Sequence, residues 1–229
     1  MQPNFPIYLT VTFFAATLYT FVMFGKACKW NKKAMYLLIV WIGLQGTFGL
    51  FSFYLDTSSV PPRILLLVLP ALLFILYLFN NKKGRDFIDK LNLETLTLIH
   101  VVRIPIEFCL FWLCLAGTIP ELMTFEGRNF DIIAGITAPL VYFLYFMRKK
   151  LSQRALLAWN IIMLLLLINI VVNALLSAPL PIQQFAFDQP NVGILYFPYV
   201  WLPSFIVPVV MFSHFVAIRR LSLNVNPSK

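Results

Sequence analysis

Acidic residues are scarce in this chain: nine Asp and Glu stand against 18 Lys and Arg in 229 residues, a net charge of +9. Charged residues make up only 12% of the sequence, whereas 60% is hydrophobic and the mean hydropathy is +0.83. That balance excludes a soluble domain of ordinary composition. Histidine is scarcer still, with two residues. Two cannot build a three-histidine zinc site of the ceramidase-like or progestin-receptor-like kind, nor a four-histidine dihaem cytochrome. The three cysteines are Cys28, in a connector, and Cys109 and Cys114, five positions apart in an apolar run. Five positions turn a helix by about 140°, so the last two face different ways and read as small apolar fillers. No G-x-S-x-G, H-E-x-x-H, Walker-type loop or C-x-x-C occurs, and each would have signalled a specific chemistry. The reading therefore leans away from an enzyme and calls for no cofactor and no metal. Residues 194–218 hold no lysine for a retinal Schiff base.

What is present is long apolar stretches, seven of them, at residues 5–24, 34–54, 64–79, 96–116, 132–147, 155–177 and 194–218. A helix needs about 20 apolar residues to cross a bilayer. All but Arg63, Arg103 and Arg128 of the basic residues fall in every second connector or after the last stretch. Positive charge stays on the cytoplasmic side during insertion. The expectation is an all-α, multi-pass seven-helix bundle forming one domain over residues 1–229, with its N-terminus outside and its C-terminus cytoplasmic. The first residues lack the basic start and small-residue site of a cleaved signal, so the first stretch is expected to be a span. The absence of an N-x-Ser/Thr sequon suits a bacterial inner membrane. Because the basic residues lie beside apolar spans, their charge reads as topogenic and not as a nucleic-acid footprint.

Thr118-Ile119-Pro120-Glu121 matches a capping box, with Gly127 placed to end a helix in the left-handed conformation. A short interfacial helix over 119–126 is expected, with Asn129 or Asp131 capping the fifth span. Three prolines make 178–193 an irregular connector, and Pro198, Pro203 and Pro208 threaten the last span.

The fourth stretch carries ionisable groups. His100, Arg103 and Glu107 are spaced i, i+3, i+7, within about 60° on one helical face. A charge near the bilayer centre costs about 2.5–3.5 kcal/mol on insertion scales, so such groups face protein or water. Arg103 and Glu107 could pair with each other at i, i+4, and Pro105 between them should disturb the helix. Gln45, Asn169, Asn173 and His214 are further candidates for the same polar centre, although amides in apolar helices commonly join helices. Glu121, Glu126, Arg128 and Asp131 read as an outer mouth. These residues point first to a transporter of a small solute or of ions or protons, with Arg103 holding an anionic or zwitterionic ligand and Glu107 exchanging a proton. A partner-binding sensory or scaffold protein, with a membrane subunit or a second copy as partner, is the alternative. An intramembrane lipid-modifying enzyme using His100 and Glu107 as acid and base is the third.

Overall fold

The computed structural model describes residues 5–223, and every regular element among them is helical. In chain order the helices are α1 (Ile7–Ala27), α2 (Lys32–Leu50), α3 (Leu65–Asn80), α4 (Lys82–Ile88), α5 (Leu93–Ile99), α6 (Arg103–Leu115), α7 (Ile132–Tyr142), α8 (Gln153–Leu176) and α9 (Val207–Ser222). Several start on a side-chain cap: Asn31, Asn81, Asn92 and Ser152 accept from the backbone N–H three residues on, which satisfies one orphan donor each. All four lie at the end of the bundle that carries the lysine-rich connectors, here called the basic end.

Five segments are long and apolar enough to cross a membrane: α1, α2, the unit Leu93–Leu115, α8 and Leu202–Ser222. The pair α3 and α4 would be a sixth, but α4 turns away from α3 by 96°. The segment Ile132–Met147 is apolar and shorter. Large apolar side chains such as Ile7, Val11, Leu18, Leu73, Leu140 and Leu165 stand exposed along these helices. Faces of this kind match hydrocarbon better than water. The last span forms the core. It is 72% buried, against 22% for α2 at the periphery, and α9 packs on α3, α5 and α8.

Prolines decide where the helices lose regularity. Pro105 cannot donate to the carbonyl of Val101, and the unit Leu93–Leu115, the fourth apolar stretch of the sequence, tightens there into a 3-10 turn over His100–Val102 that joins α5 to α6. Pro208 likewise leaves the carbonyl of Ser204 without its helical donor. The indole N–H of Trp41 on α2 donates to that carbonyl instead at 2.8 Å. The chain widens into a π turn over Leu202–Ile206 just before α9. The last span thus begins at Leu202, eight residues later than the apolar run, because residues 197–200, which include Pro198, form a turn and not a regular helix.

The connector between α6 and α7 departs most from expectation. Only one 3-10 turn, Glu121–Met123, forms where a helix over 119–126 was expected. The Thr118 hydroxyl does not cap it. It donates back to the carbonyl of Leu113 at 2.9 Å. The left-handed glycine is Gly117, φ 70°, at the end of α6. Gly127 serves another need: a Cβ there would lie 2.4 Å from the Glu121 carbonyl oxygen. After Gly117 the chain folds inward, burying Ile119, Met123 and Thr124 completely or nearly so. It delivers Asn129 to Glu107 and Asp131 to Arg103. At Gly135 a Cβ would sit 2.7 Å from the Ile104 side chain, so α7 crosses the fourth span at that level. As α6 continues eight residues beyond Glu107, α7 begins about 12 Å short of its end. Irregular backbone fills the gap, which is tolerated at membrane depth only where protein surrounds it.

Candidate functional site

The break at Pro105 and the start of α7 meet at one buried polar centre. Its first part is held by Arg103, 2% exposed. One terminal nitrogen, Nη1, lies 3.0 Å from Asp131 Oδ1 and donates to the carbonyl of Met163 on α8 at 3.4 Å. The Asp131 contact is a charge pair without hydrogen-bond alignment. The other terminal nitrogen, Nη2, is 2.9 Å from His214 Nε2 on α9. A guanidinium only donates, so Nε2 must accept and the His214 proton sits on Nδ1. The next contact agrees: His214 Nδ1 is 2.9 Å from Asn160 Oδ1. The Asn160 amide is oriented by its own nitrogen, which donates to the Leu156 carbonyl. Four helices are thereby tied to one guanidinium. His100 stacks on His214 with ring centroids 3.9 Å apart and planes at 18°, while Trp159 presents its ring to both imidazoles. His100 Nδ1 is buried and has no hydrogen-bond partner among the described residues.

The second part is Glu107, also 2% exposed. It makes no ion pair among the described residues. The expected i, i+4 pair with Arg103 does not form, because Asp131, arriving from the start of α7, takes the guanidinium. Both Glu107 oxygens lie 2.7 Å from Asn129 Nδ2, which also donates to the Met123 carbonyl. Asn129 Oδ1 in turn accepts from the backbone N–H of Asp131. One cation therefore faces two buried carboxyls, and among the described residues an amide is the only side-chain donor to Glu107. Beside them is a cleft of about 90 Å³, lined by Glu107, Asn129 and Asp131 on one side and by apolar groups such as Leu110, Leu167 and Pro203 on the other. It has room for several waters.

Residues 61–222 match the family described as a domain of unknown function, DUF8737. The chain belongs to that family. No curated protein and no solved structure matches it. The DUF8737 range starts just before α3 and contains every residue of the polar centre, while α1 and α2 lie outside it.

Other expected members are elsewhere. Gln45 is buried on α2, where it accepts from the Tyr54 hydroxyl and donates to the Leu66 carbonyl at 3.3 Å. Asn169 is exposed and donates to the Arg128 carbonyl; Asn173 donates back to Asn169. Asn169 pins the inward-folded connector to α8, with Asn173 holding its amide from one turn away, and both stand apart from Arg103. Of the outer-mouth residues, Glu121, Glu126 and Arg128 are exposed, and the Arg128 guanidinium lies 5.4 Å from the Phe185 ring centroid. Asp131 leaves that group altogether for the centre. Asn160 was missed by the sequence reading, and Asn129 was seen only as a cap. Asn160 carried a usable signal, an amide in a strongly apolar helix. Nine residues separate it from Asn169, which puts the two on opposite faces of α8.

Proposed function

We propose that this DUF8737 protein is a small multi-pass transporter that couples movement of an anionic or zwitterionic solute to a proton at the Arg103–Glu107 centre. In this reading the two shorter apolar helices, α3 and Ile132–Met147, also cross the bilayer. The count is then seven, with the N-terminus outside and the basic end cytoplasmic; the alternation of Lys and Arg along the chain supports that orientation. Lys229, part of that pattern, lies outside the described residues.

The observation that carries the reading is the charge arithmetic where α7 starts: Arg103 matched by Asp131, with Glu107 left over. A carboxyl with no cationic partner changes its proton more readily than one locked in an ion pair. A helix that begins within the bundle beside charged groups is how many secondary transporters build their sites. In mechanism, an anionic ligand group takes the place of the Asp131 carboxylate on Arg103, and the charge displaced is balanced by proton uptake at Glu107. The π turn Leu202–Ile206, adjoining the same cleft through Leu202 and Pro203, is the part of the last span best suited to yield.

Purified protein in liposomes loaded with a pH-sensitive dye, under an imposed potassium potential and with a panel of carboxylates and amino acids added outside, tests this. Flux above protein-free liposomes that falls to background in Glu107→Gln supports it. Folded Arg103→Ala and Glu107→Gln proteins with full flux, or no flux in the parent, overturn it. The small size of the cleft and the engagement of both terminal nitrogens of Arg103 favour a second reading, a partner-binding scaffold; a stoichiometric membrane subunit on purification, without flux, selects that one.

A further inference from the structure

A second cavity shares no lining residue with the cleft at the polar centre. The middle of α2 meets the start of α3 through Gln45 and Leu66, and toward the basic end a groove of about 600 Å³ opens between the two helices. This volume is within the range of small-molecule sites. Leu38 and Trp41 form its α2 wall, Ala71 and Phe74 its α3 wall, and Val209 and Phe212 of α9 its floor. Its polar members are few. Lys33 and Asn31 stand at the basic end of α2, and Ser204 lies deeper, its carbonyl already engaged by Trp41. Asn31 is likewise occupied, capping α2.

Lys33 is exposed, as are its neighbour Lys32 and the lysines 82 and 83 that open α4. None of the four has a carboxylate partner among the described residues. A greasy slot along the helices, ending in unpaired positive charge at the level of the basic connectors, is complementary to one kind of molecule. We propose that the groove binds an anionic phospholipid, one acyl chain lying between α2 and α3 and its phosphate held by Lys33 with help from the lysines at the mouth. Hydrocarbon fills the slot at no loss of hydrogen bonding, whereas water there would find almost no partners. The lysines contribute the headgroup preference, since basic side chains at a membrane surface favour anionic lipid. The bound lipid would wedge the peripheral α2 against α3 and α9; elsewhere α2 is held by Trp41 to Ser204, by Gln45 to Leu66, and by Gly46 and Gly49 against Trp201 and Val200. This site is independent of Arg103 and Glu107, so its failure leaves the transport reading standing.

The test is native mass spectrometry of the full chain, delipidated and then reconstituted in nanodiscs of phosphatidylglycerol or of phosphatidylcholine. One phosphatidylglycerol retained per protein on release, with about fivefold less retention of phosphatidylcholine, is expected. Lys33→Ala, an exposed change that leaves the fold intact, should reduce that preference severalfold. Ala71→Phe, which fills the slot, should abolish retention of either lipid while Lys33→Ala still retains some. Equal retention of both lipids by the parent, or unchanged preference in Lys33→Ala, overturns the proposal. Retention of free palmitate with no phospholipid also overturns it, as does a dimer lost in Ala71→Phe without lipid in either form, which makes the groove a subunit interface.

Discussion

Two ion pairs in this molecule have nearly the same geometry and opposite circumstances. Arg63 and Asp56, in the connector before α3, approach to 2.6 Å with about a third of each side chain exposed (34% and 37%). Arg103 and Asp131 lie 3.0 Å apart with exposures of 3% and 8%. The Asp56 carboxyl is held below its ordinary pKa mainly by the Ser58 hydroxyl, with Arg63 adding to it, and water and salt compete with every part of that arrangement. The Arg103 pair has no such competition. Removing either partner leaves a charge stranded in apolar surroundings, so burial outweighs 0.4 Å of separation.

The sharpest way to break the comparison is Arg103→Ala. It strands Asp131, removes a donor from His214 and from the Met163 carbonyl, and is expected to lower stability by about 3–5 kcal/mol, measured by unfolding in mild detergent. Arg103→Met combined with Asp131→Leu should recover most of that loss, since neither charge of the pair is then left without the other; failure of the double variant to recover would mean that the pair has a positive role of its own. Gly135→Val should come next. Its side chain would be driven into Ile104 where α7 crosses the fourth span, at about 1–3 kcal/mol, and Gly135→Ala should lose less. His214→Phe keeps the ring stack on His100 but leaves Asn160 Oδ1 and one Arg103 nitrogen unanswered, for about 1–3 kcal/mol. At the bottom of the series, Asp56→Asn should leave the melting temperature within replicate error. A melting shift as large as that of Arg103→Ala would show that the connector before α3 is a structural clamp, and would remove the contrast.

The legible part of the site was the part written on one helix. His100, Arg103 and Glu107 announce themselves because ionisable residues inside an apolar run are expensive to keep, and their spacing fixes a common face. His214 was visible for the same reason, but its bond to Arg103 depends on how α9 packs against α8 and the fourth span. Asp131 was misplaced because a carboxylate at the edge of an apolar run reads as a surface cap. Its depth follows from where α7 begins, and that in turn from the inward path of residues 117–131. The path was hidden because Thr118, Pro120 and Glu121 satisfy a local helix-start pattern, whereas contacts with Leu113 and α8 outweigh it. The bundle itself was largely legible from hydropathy. The five long spans were found within a few residues at most of their ends, and the last span's late start was foreshadowed by its prolines.

The late start of α7 also bears on how the chain enters its membrane. A 16-residue apolar helix with an acidic residue at its threshold is a poor insertion signal by itself. Arg103 precedes Asp131 by 28 positions, so Arg103 is already synthesised when α7 emerges. On the proposed seven-span reading the two enter as a hairpin, each cancelling the other's charge.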